Sequence, residues 1–188
     1  MNKLIVLSGP SGAGKTSILH YLLNEIKELS FSVSACSRSK RKNEVHSKDY
    51  YFLSVDEFKI KIKQNAFLEW EEVYENQFYG TLRSEIKRIW DEGKTAIFDI
   101  DVDGALSIKN EFQTNCLCIF IQPPSIEVLQ KRLIERGSEP QESLKKRLVK
   151  ARGEIEKSKD FDRIILNDNF SLVCKEINDL VYNFINNT

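Results

Sequence analysis

Apolar positions along the chain fall into short runs whose period switches between strand and helix. Leu4-Ile5-Val6-Leu7 is continuously apolar, which suits a strand buried on both faces. Ile18, Leu19, Leu22, Leu23, Ile26 and Leu29 then recur at helical spacing and predict one helix. Phe31-Ser32-Val33-Ser34-Ala35 alternates like a strand, and Asp49-Tyr50-Tyr51-Phe52 is aromatic and strand-like. Ser54-Val55-Asp56-Glu57 is a capping-box pattern opening a short helix with Phe58, Ile60 and Ile62. Phe67-Leu68-Glu69-Trp70-Glu71 predicts a short strand, and Asn76 to Gly80 a hairpin or turn.

A strand–helix alternation follows. Leu82, Ile86, Ile89 and Trp90 predict a helix stopped by Gly93. Thr95-Ala96-Ile97-Phe98 is a buried strand ending in Asp99-Ile100-Asp101, with a short helix over Ala105 to Phe112 after it. Cys116 to Ile121 is another apolar strand, stopped by Pro123-Pro124. Ser125 can cap the next helix (Val128, Leu129, Leu133), which ends at Gly137. Pro140 can start a further helix with Leu144, Leu148, Ala151 and Ile155 as its stripe. Ile164-Ile165-Leu166 is a strand ended by Asn167-Asp168, and Leu172 to Ile185 is the last helix.

Short apolar strands alternating with amphipathic helices predict an α/β fold, a central parallel sheet covered by helices on both faces. Ligands of such sheets bind at the carboxyl ends of the strands, which puts Gly9–Thr16, Asp99/Asp101 and Asn167/Asp168 on one rim. Residues 31–81 read as a small strand-rich insertion. The charged stretch from Lys131 to Lys159 reads as a helical hairpin standing partly off the body.

Composition narrows this picture only a little. The chain's 188 residues suffice for one domain with a real core. Lys+Arg and Asp+Glu both number 28, so no global charge draws the protein to nucleic acid or a membrane, and any anion site is built locally. No apolar run reaches the ~18 residues of a membrane span. Cys36, Cys116, Cys118 and Cys174 lack metal-ligand spacing, and the side chains of Cys116 and Cys118 are expected on opposite faces of their strand. With no signal peptide, they are expected to be reduced thiols of a cytoplasmic protein. His20 is expected on a helix surface and His46 in a loop.

The chemistry starts at Gly9-Pro10-Ser11-Gly12-Ala13-Gly14-Lys15-Thr16, which fits G-x-x-x-x-G-K-[ST] between a strand and a helix. Glycines let backbone N–H groups face a polyphosphate at the helix N-terminus, Lys15 adds a charge at the β/γ-phosphates, and the Thr16 hydroxyl suits Mg²⁺. The plain alternative is a Gly-rich turn before an ordinary helix. Three clusters bear on a second substrate. Arg38-x-x-Arg41-x-x-Glu44 with Tyr50 can clamp a phosphate, since guanidinium forks grip oxyanions bidentately; the same pattern fits a solvated basic loop. Glu69, with Ser34, Tyr79, Thr81 and Asp101, can read guanine, a carboxylate accepting from the N1–H/N2–H₂ edge; alternatively Glu69 faces water on an amphipathic strand. Arg132 and Arg136, with Arg147 on the next helix, can converge on transferring phosphate; the alternative is a solvated face.

Taken together, these segments resemble the guanylate kinases over almost the whole chain. The resemblance rests on Ser8–Thr16, Phe31-Ser32-Val33-Ser34, Arg38-x-x-Arg41-x-x-Glu44-Val45, Lys48-Asp49-Tyr50, Phe67-Leu68-Glu69, Phe78-Tyr79-Gly80-Thr81, Asp99-Ile100-Asp101, Arg132-Leu133-x-x-Arg136-Gly137 and Asn167-Asp168. It implies a P-loop three-layer α/β/α core (1–30, 82–123 and 156–188), a GMP-binding domain (31–81) and a helical lid (124–155). It implies transfer of the γ-phosphate of ATP to GMP, and to dGMP, in purine nucleotide metabolism, by a monomer or homodimer that engages neither nucleic acid nor membrane. Gly9, Pro10, Ser11, Gly12, Ala13, Gly14, Lys15, Thr16 and Ser17 would bind ATP with Mg²⁺, and Asn167 would lie at the adenine. Arg38, Arg41, Tyr50 and Tyr79 would hold the GMP phosphate, with Glu44 orienting the arginines. Ser34, Glu69, Thr81 and Asp101 would read guanine. Arg132, Arg136 and Arg147 would meet the triphosphate. Lys15, Arg38 and these three would be the catalytic set. Asp99 would stand in the outer shell of Mg²⁺ or on the GMP side.

The chain departs from the family pattern at Lys40 and Asn43, where Pro and Gly are usual, and at Asp103, where Gln is common. Asn43 can adopt a left-handed turn, so the same loop path is expected. Two other activities fit parts of the pattern. A non-catalytic protein-binding relative would have lost loop and GMP contacts that are intact here. A kinase of another phosphate ester would not need Glu69 and the hydroxyls beside it.

Overall fold

The computed structural model describes residues 2–135 and 141–186, with backbone alone for 141–143. Its contacts divide the chain into two compact units, Met1–Leu29 with Ile97–Thr188, and Ser30–Ala96.

A five-stranded sheet runs in the order β2-β7-β1-β8-β9, with β1 Leu4–Ser8, β2 Leu29–Phe31, β7 Thr95–Asp99, β8 Cys116–Gln122 and β9 Arg163–Leu166. β1 pairs in parallel with β8 from Leu4↔Cys116 to Ser8↔Phe120, and β8 with β9 from Ile119↔Arg163 to Gln122↔Leu166. Every side chain of β1 is buried, as its unbroken apolar run requires between two helical layers. α1 (Lys15–Glu25), α4 (Val102–Phe112) and α7 (Phe170–Asn186) also belong to this first unit. So do α5 (Ile126–Glu135) and α6 (Gln141–Glu156), which share a small apolar seam of Leu129, Leu133 and Ala151 flanked by Leu144 and Leu148. Ser125 Oγ caps α5 by accepting from the Val128 N–H at 3.2 Å. Gly137 and Pro140, expected at a helix end and a helix start, lie outside the described residues.

The second unit is built on a four-stranded sheet, β4-β3-β6-β5, with β3 Ala35–Cys36, β4 Tyr51–Phe52, β5 Phe67–Tyr74 and β6 Gln77–Leu82. Ala35, Phe58, Phe67, Phe78 and Leu82 form its core, and Phe58 stacks on Phe67 with ring centroids 4.2 Å apart. Phe58 comes from α2 (Val55–Lys63), whose capping box is complete: Glu57 N–H donates to Ser54 Oγ at 3.2 Å, and Ser54 N–H to Glu57 Oε2 at 2.7 Å. α3 (Arg83–Asp91) closes the unit.

Several sequence expectations are corrected. The first helix ends at Glu25 rather than running to Leu29: Ile26 is extended, and Leu29 opens β2. The strand expected over 31–35 is interrupted, because the Val33 N–H goes to a side chain, Glu85 Oε1 at 3.2 Å, instead of a neighbouring strand. The second unit runs to Ala96, and within it Glu85 ties α3 back to Val33 and to the Tyr51 hydroxyl, which donates to Glu85 Oε2 at 2.7 Å. Positive φ in the basic loop occurs at Ser47 (65°), not at Asn43. The thiols of Cys116 and Cys118 are not on opposite faces: residues two apart on a strand share a face, and their Sγ atoms lie 3.5 Å apart.

Glu85 is the charged residue that the sequence pattern did not single out. It is only 2% exposed and receives Arg88 Nε at 3.0 Å and Nη2 at 2.8 Å. Burial pushes its carboxyl up, but Arg88, the Tyr51 hydroxyl and the Val33 amide together hold it below the ordinary glutamate range. A carboxyl depressed in the folded state stabilises the fold above its unfolded pKa, and that stabilisation fades as pH falls through the folded value. Glu85→Gln is therefore expected to lower stability at pH 7 by about 1–3 kcal/mol. It should also flatten the acid limb of the stability curve below about pH 4.5. Denaturant melts across pH check this, and an unchanged acid limb would remove Glu85 from the account.

Candidate active site

In the first unit, the loop after β1 wraps back on itself. Lys15 Nζ donates to Gly9 O at 2.7 Å, so its ammonium is folded over the concave side of the loop. Gly9 has φ +136°, and a Cβ there would stand 2.4 Å from Ile121 O; only glycine lets the loop pass the end of β8 this closely. The loop is braced from the far side by Asn167, 4% exposed, whose Nδ2 donates to Ala13 O at 2.6 Å. Arg132 of α5 extends this brace, its Nη2 donating to Asn167 O at 3.0 Å.

Thr16 Oγ1 donates to Asp99 Oδ2 at 2.7 Å, and Asp99 Oδ1 lies 3.9 Å from Lys15 Nζ. A hydroxyl and a carboxylate side by side are hard oxygen donors of the kind a small divalent cation takes, so these residues fit one. Asp101 accepts from Gly104 N–H at 3.0 Å and caps α4. Next to the loop opens a cavity of about 360 Å³ lined by Gly12, Gly14, Ser17, Arg132, Asn167 and Phe170 among others. Glu135 and Asp168 also line it. Sequence reasoning missed Glu135 and Phe170; an aromatic opening a helix just beyond a strand's carboxyl end was the available signal for Phe170. Arg147 is exposed on α6. Arg136 lies outside the described residues.

The second unit carries the other cluster. Arg38 is its hub, with Nη1 and Nη2 donating to the two Glu44 oxygens at 2.7 and 2.5 Å, Nε to Tyr79 Oη at 3.2 Å, and Nη1 also to Ser39 O at 3.0 Å. Four bonds leave one of its five N–H groups. Its guanidinium lies 5.0 Å from the Tyr50 ring centroid, and Tyr50 meets Tyr79 edge-on. The bidentate Arg38 contact and the Arg41 N–H (2.8 Å) hold the Glu44 carboxyl down to about 2, so this ion pair persists across any working pH. The Arg41 side chain is exposed.

Glu69 and Thr81 face each other across β5 and β6, and Thr81 Oγ1 donates to Glu69 Oε1 at 2.6 Å. Glu69 is 9% exposed, so it does not face water. Gly80 makes this possible: a Cβ there would stand 2.6 Å from Glu69 O. Ser34 is half-buried between β2 and β3, its carbonyl accepting from Tyr51 N–H at 2.9 Å. The structure thus gathers Arg38, Glu44, Tyr50 and Tyr79 in one cluster, and pairs Glu69 with Thr81, all within the second unit. Lys15, Thr16, Asp99, Asp101, Arg132 and Asn167 belong to the first.

Comparisons with known proteins agree along the whole chain. A family model described as Guanylate kinase matches residues 1–183. The chain is similar to a guanylate kinase of Porphyromonas gingivalis, 45% identical over 186 residues that cover 98% of this chain and 99% of the relative. It is similar to one of Bacteroides thetaiotaomicron, 42% identical over 184 residues, covering 98% of this chain and 90% of the relative. Among solved structures it resembles a guanylate kinase from Anaplasma phagocytophilum with a TM-score of 0.78 at 28% identity, covering 100% of this chain and 88% of that one.

Proposed function

The chain belongs to the guanylate kinase family and transfers the γ-phosphate of ATP to GMP; from that premise we propose how its residues divide the work. The loop from Gly9 to Ser17 takes the triphosphate of ATP, with Lys15 leaving Gly9 O to bond the β/γ-phosphates. Asn167 and the cavity beside it take the adenine end. Thr16 would hold Mg²⁺, with Asp99 behind it. Magnesium bound there would offset the charge of the phosphate oxygens.

On the acceptor side, Arg38, Arg41, Tyr50 and Tyr79 hold the GMP phosphate, and Glu44 fixes the Arg38 fork before the ligand arrives. Ser34, Glu69 and Thr81 read guanine. An oxygen of the GMP phosphate attacks the γ-phosphorus in line, the new P–O bond forms as the β–γ bridge breaks, and ADP leaves. Lys15, Arg132, Arg136 and Arg147 stabilise the charge spread over the transferring group. No covalent intermediate is needed; positioning and charge neutralisation do the work.

The observation that carries the choice of acceptor is Glu69, a carboxylate kept in a buried strand with a hydroxyl on one oxygen. A carboxylate only accepts, and the N1–H and N2–H₂ edge of guanine offers it two donors that adenine does not present there. None of the assigned residues is asked to touch the ribose 2′-oxygen, so dGMP is proposed as a second acceptor. A place in purine nucleotide recycling follows from those substrates. Four free, buried cysteines suit the reducing cytoplasm, which is proposed as the location. Among the described residues no helix is long and apolar enough to cross a membrane.

ADP release with MgATP and a panel of acceptors tests this reading. GMP and dGMP are expected to support turnover, and AMP, UMP and ribose 5-phosphate to fail. Equal use of AMP, or turnover of the ribose ester, would overturn the assignment of Glu69 and its neighbours.

A further inference from the structure

Asp103 stands in the first turn of α4, close after Asp99 and Asp101, and no step of the transfer uses it. It makes an ion pair with Lys157 Nζ at 2.5 Å. Lys157 opens the short 3₁₀ turn Lys157–Asp160 that directly continues α6. The far end of α4 is fastened to the same region, since Lys109 Nζ donates to Asp160 O at 2.8 Å and pairs with Asp162 Oδ1 at 2.8 Å. Asp162 Oδ2 in turn accepts from Cys118 N–H at 2.8 Å, and Phe161 packs on Phe120 of β8. Lys157, at the end of α6, is thereby held on the first turn of α4, while Asp160 and Asp162 beyond it are held on the last. Glu154, one turn before Lys157, is largely buried there, in the field of Lys15, Asp101 and Asp103 as well as Lys150.

We propose that the Asp103–Lys157 pair is a positioning clasp for the donor half of the site: it seats the root of α6 on the first turn of α4 and so sets the helix that carries Arg147 relative to Lys15, Thr16 and Asp99. The proposal rests on the donor reading given above. The cation and the carboxylate come from different elements, so, unlike an i,i+4 pair on one helix, this contact fixes how two elements meet. It also accounts for an acid at 103 in a chain that places a lysine at 157. Both side chains are partly exposed, so the coupling is modest and screened by salt.

The test combines steady-state kinetics with calorimetric binding of a non-hydrolysable ATP analogue. Asp103→Asn and Lys157→Met are each expected to raise KM and Kd on the ATP side about two- to fivefold, with KM for GMP unchanged. The double variant should be no worse than either single one, and the charge swap Asp103→Lys with Lys157→Asp should recover most of the loss. Added salt should move the wild type toward the variants. Lys109→Met, which loosens the other end of α4, should lower the melting temperature without the ATP-side change. Lys15→Ala is the separate arm for the donor reading: if it binds the analogue as tightly as wild type, that reading fails whatever Asp103 does. If Lys15→Ala loses binding but Asp103→Asn shifts nothing, or shifts both substrates equally, the clasp is overturned. Additive losses in the double variant overturn it as well.

Discussion

Lys15→Ala is expected to lower kcat by about 10²–10³-fold while leaving the protein folded. The Lys15 ammonium lies over the concave face of the loop, and its bond to Gly9 O is replaceable by water. Its loss therefore costs little stability, on the order of 1 kcal/mol. The effect falls partly on the bound triphosphate, whose affinity drops, and more on the transition state, where charge builds on the γ-phosphoryl oxygens that Lys15 is placed to meet. Melting curves and ADP release measured on the same preparation separate the two effects. Wild-type turnover by Lys15→Ala would remove the loop from the catalytic account, and a collapsed melt would mean that Lys15 serves the fold.

The second large effect is expected from Glu69→Gln. The substitution keeps size and can keep the Thr81 hydrogen bond, but it replaces a charged acceptor by a neutral amide. Hydrogen bonds to a charged group contribute about 1.5–3 kcal/mol, so kcat/KM for GMP should fall roughly 10- to 100-fold. AMP, which offers no N1–H and no N2 amine, should be used no worse than before, so the GMP-to-AMP ratio falls by the same factor. The phosphate end should be untouched, because Arg38 is held by its own bonds to Glu44 and Tyr79. Measuring both acceptors in both proteins decides the matter. An unchanged ratio would return Glu69 to a purely structural role beside Thr81.

The elements that were plain in the sequence are those whose cause is local. The apolar run of β1 with its glycine loop, the Ser54/Glu57 capping box and the spacing of Arg38 from Glu44 all depend on neighbours a few residues away. What was not plain depends on partners far along the chain. Glu85 reads as a surface residue of an amphipathic helix until Val33 and Tyr51 are brought to it. Asn167 was legible as a polar residue after a strand; that its side chain braces Ala13, 154 positions earlier, was not. Within the site, the pairing of Glu69 with Thr81 followed from alternation on two strands once their register was known. The partner of Asp103 had no local signature at all.

The bonding of Arg38 has a thermodynamic consequence. A free arginine side chain loses up to about 2 kcal/mol of rotamer freedom when it is pinned. Here Glu44, Tyr79 and the Tyr50 ring already pin it. That loss is incurred when the chain folds, not when the acceptor arrives. The acceptor phosphate meets a fork already at rest, so the entropic penalty in its binding falls mainly on the ligand's own motion and on the exposed Arg41.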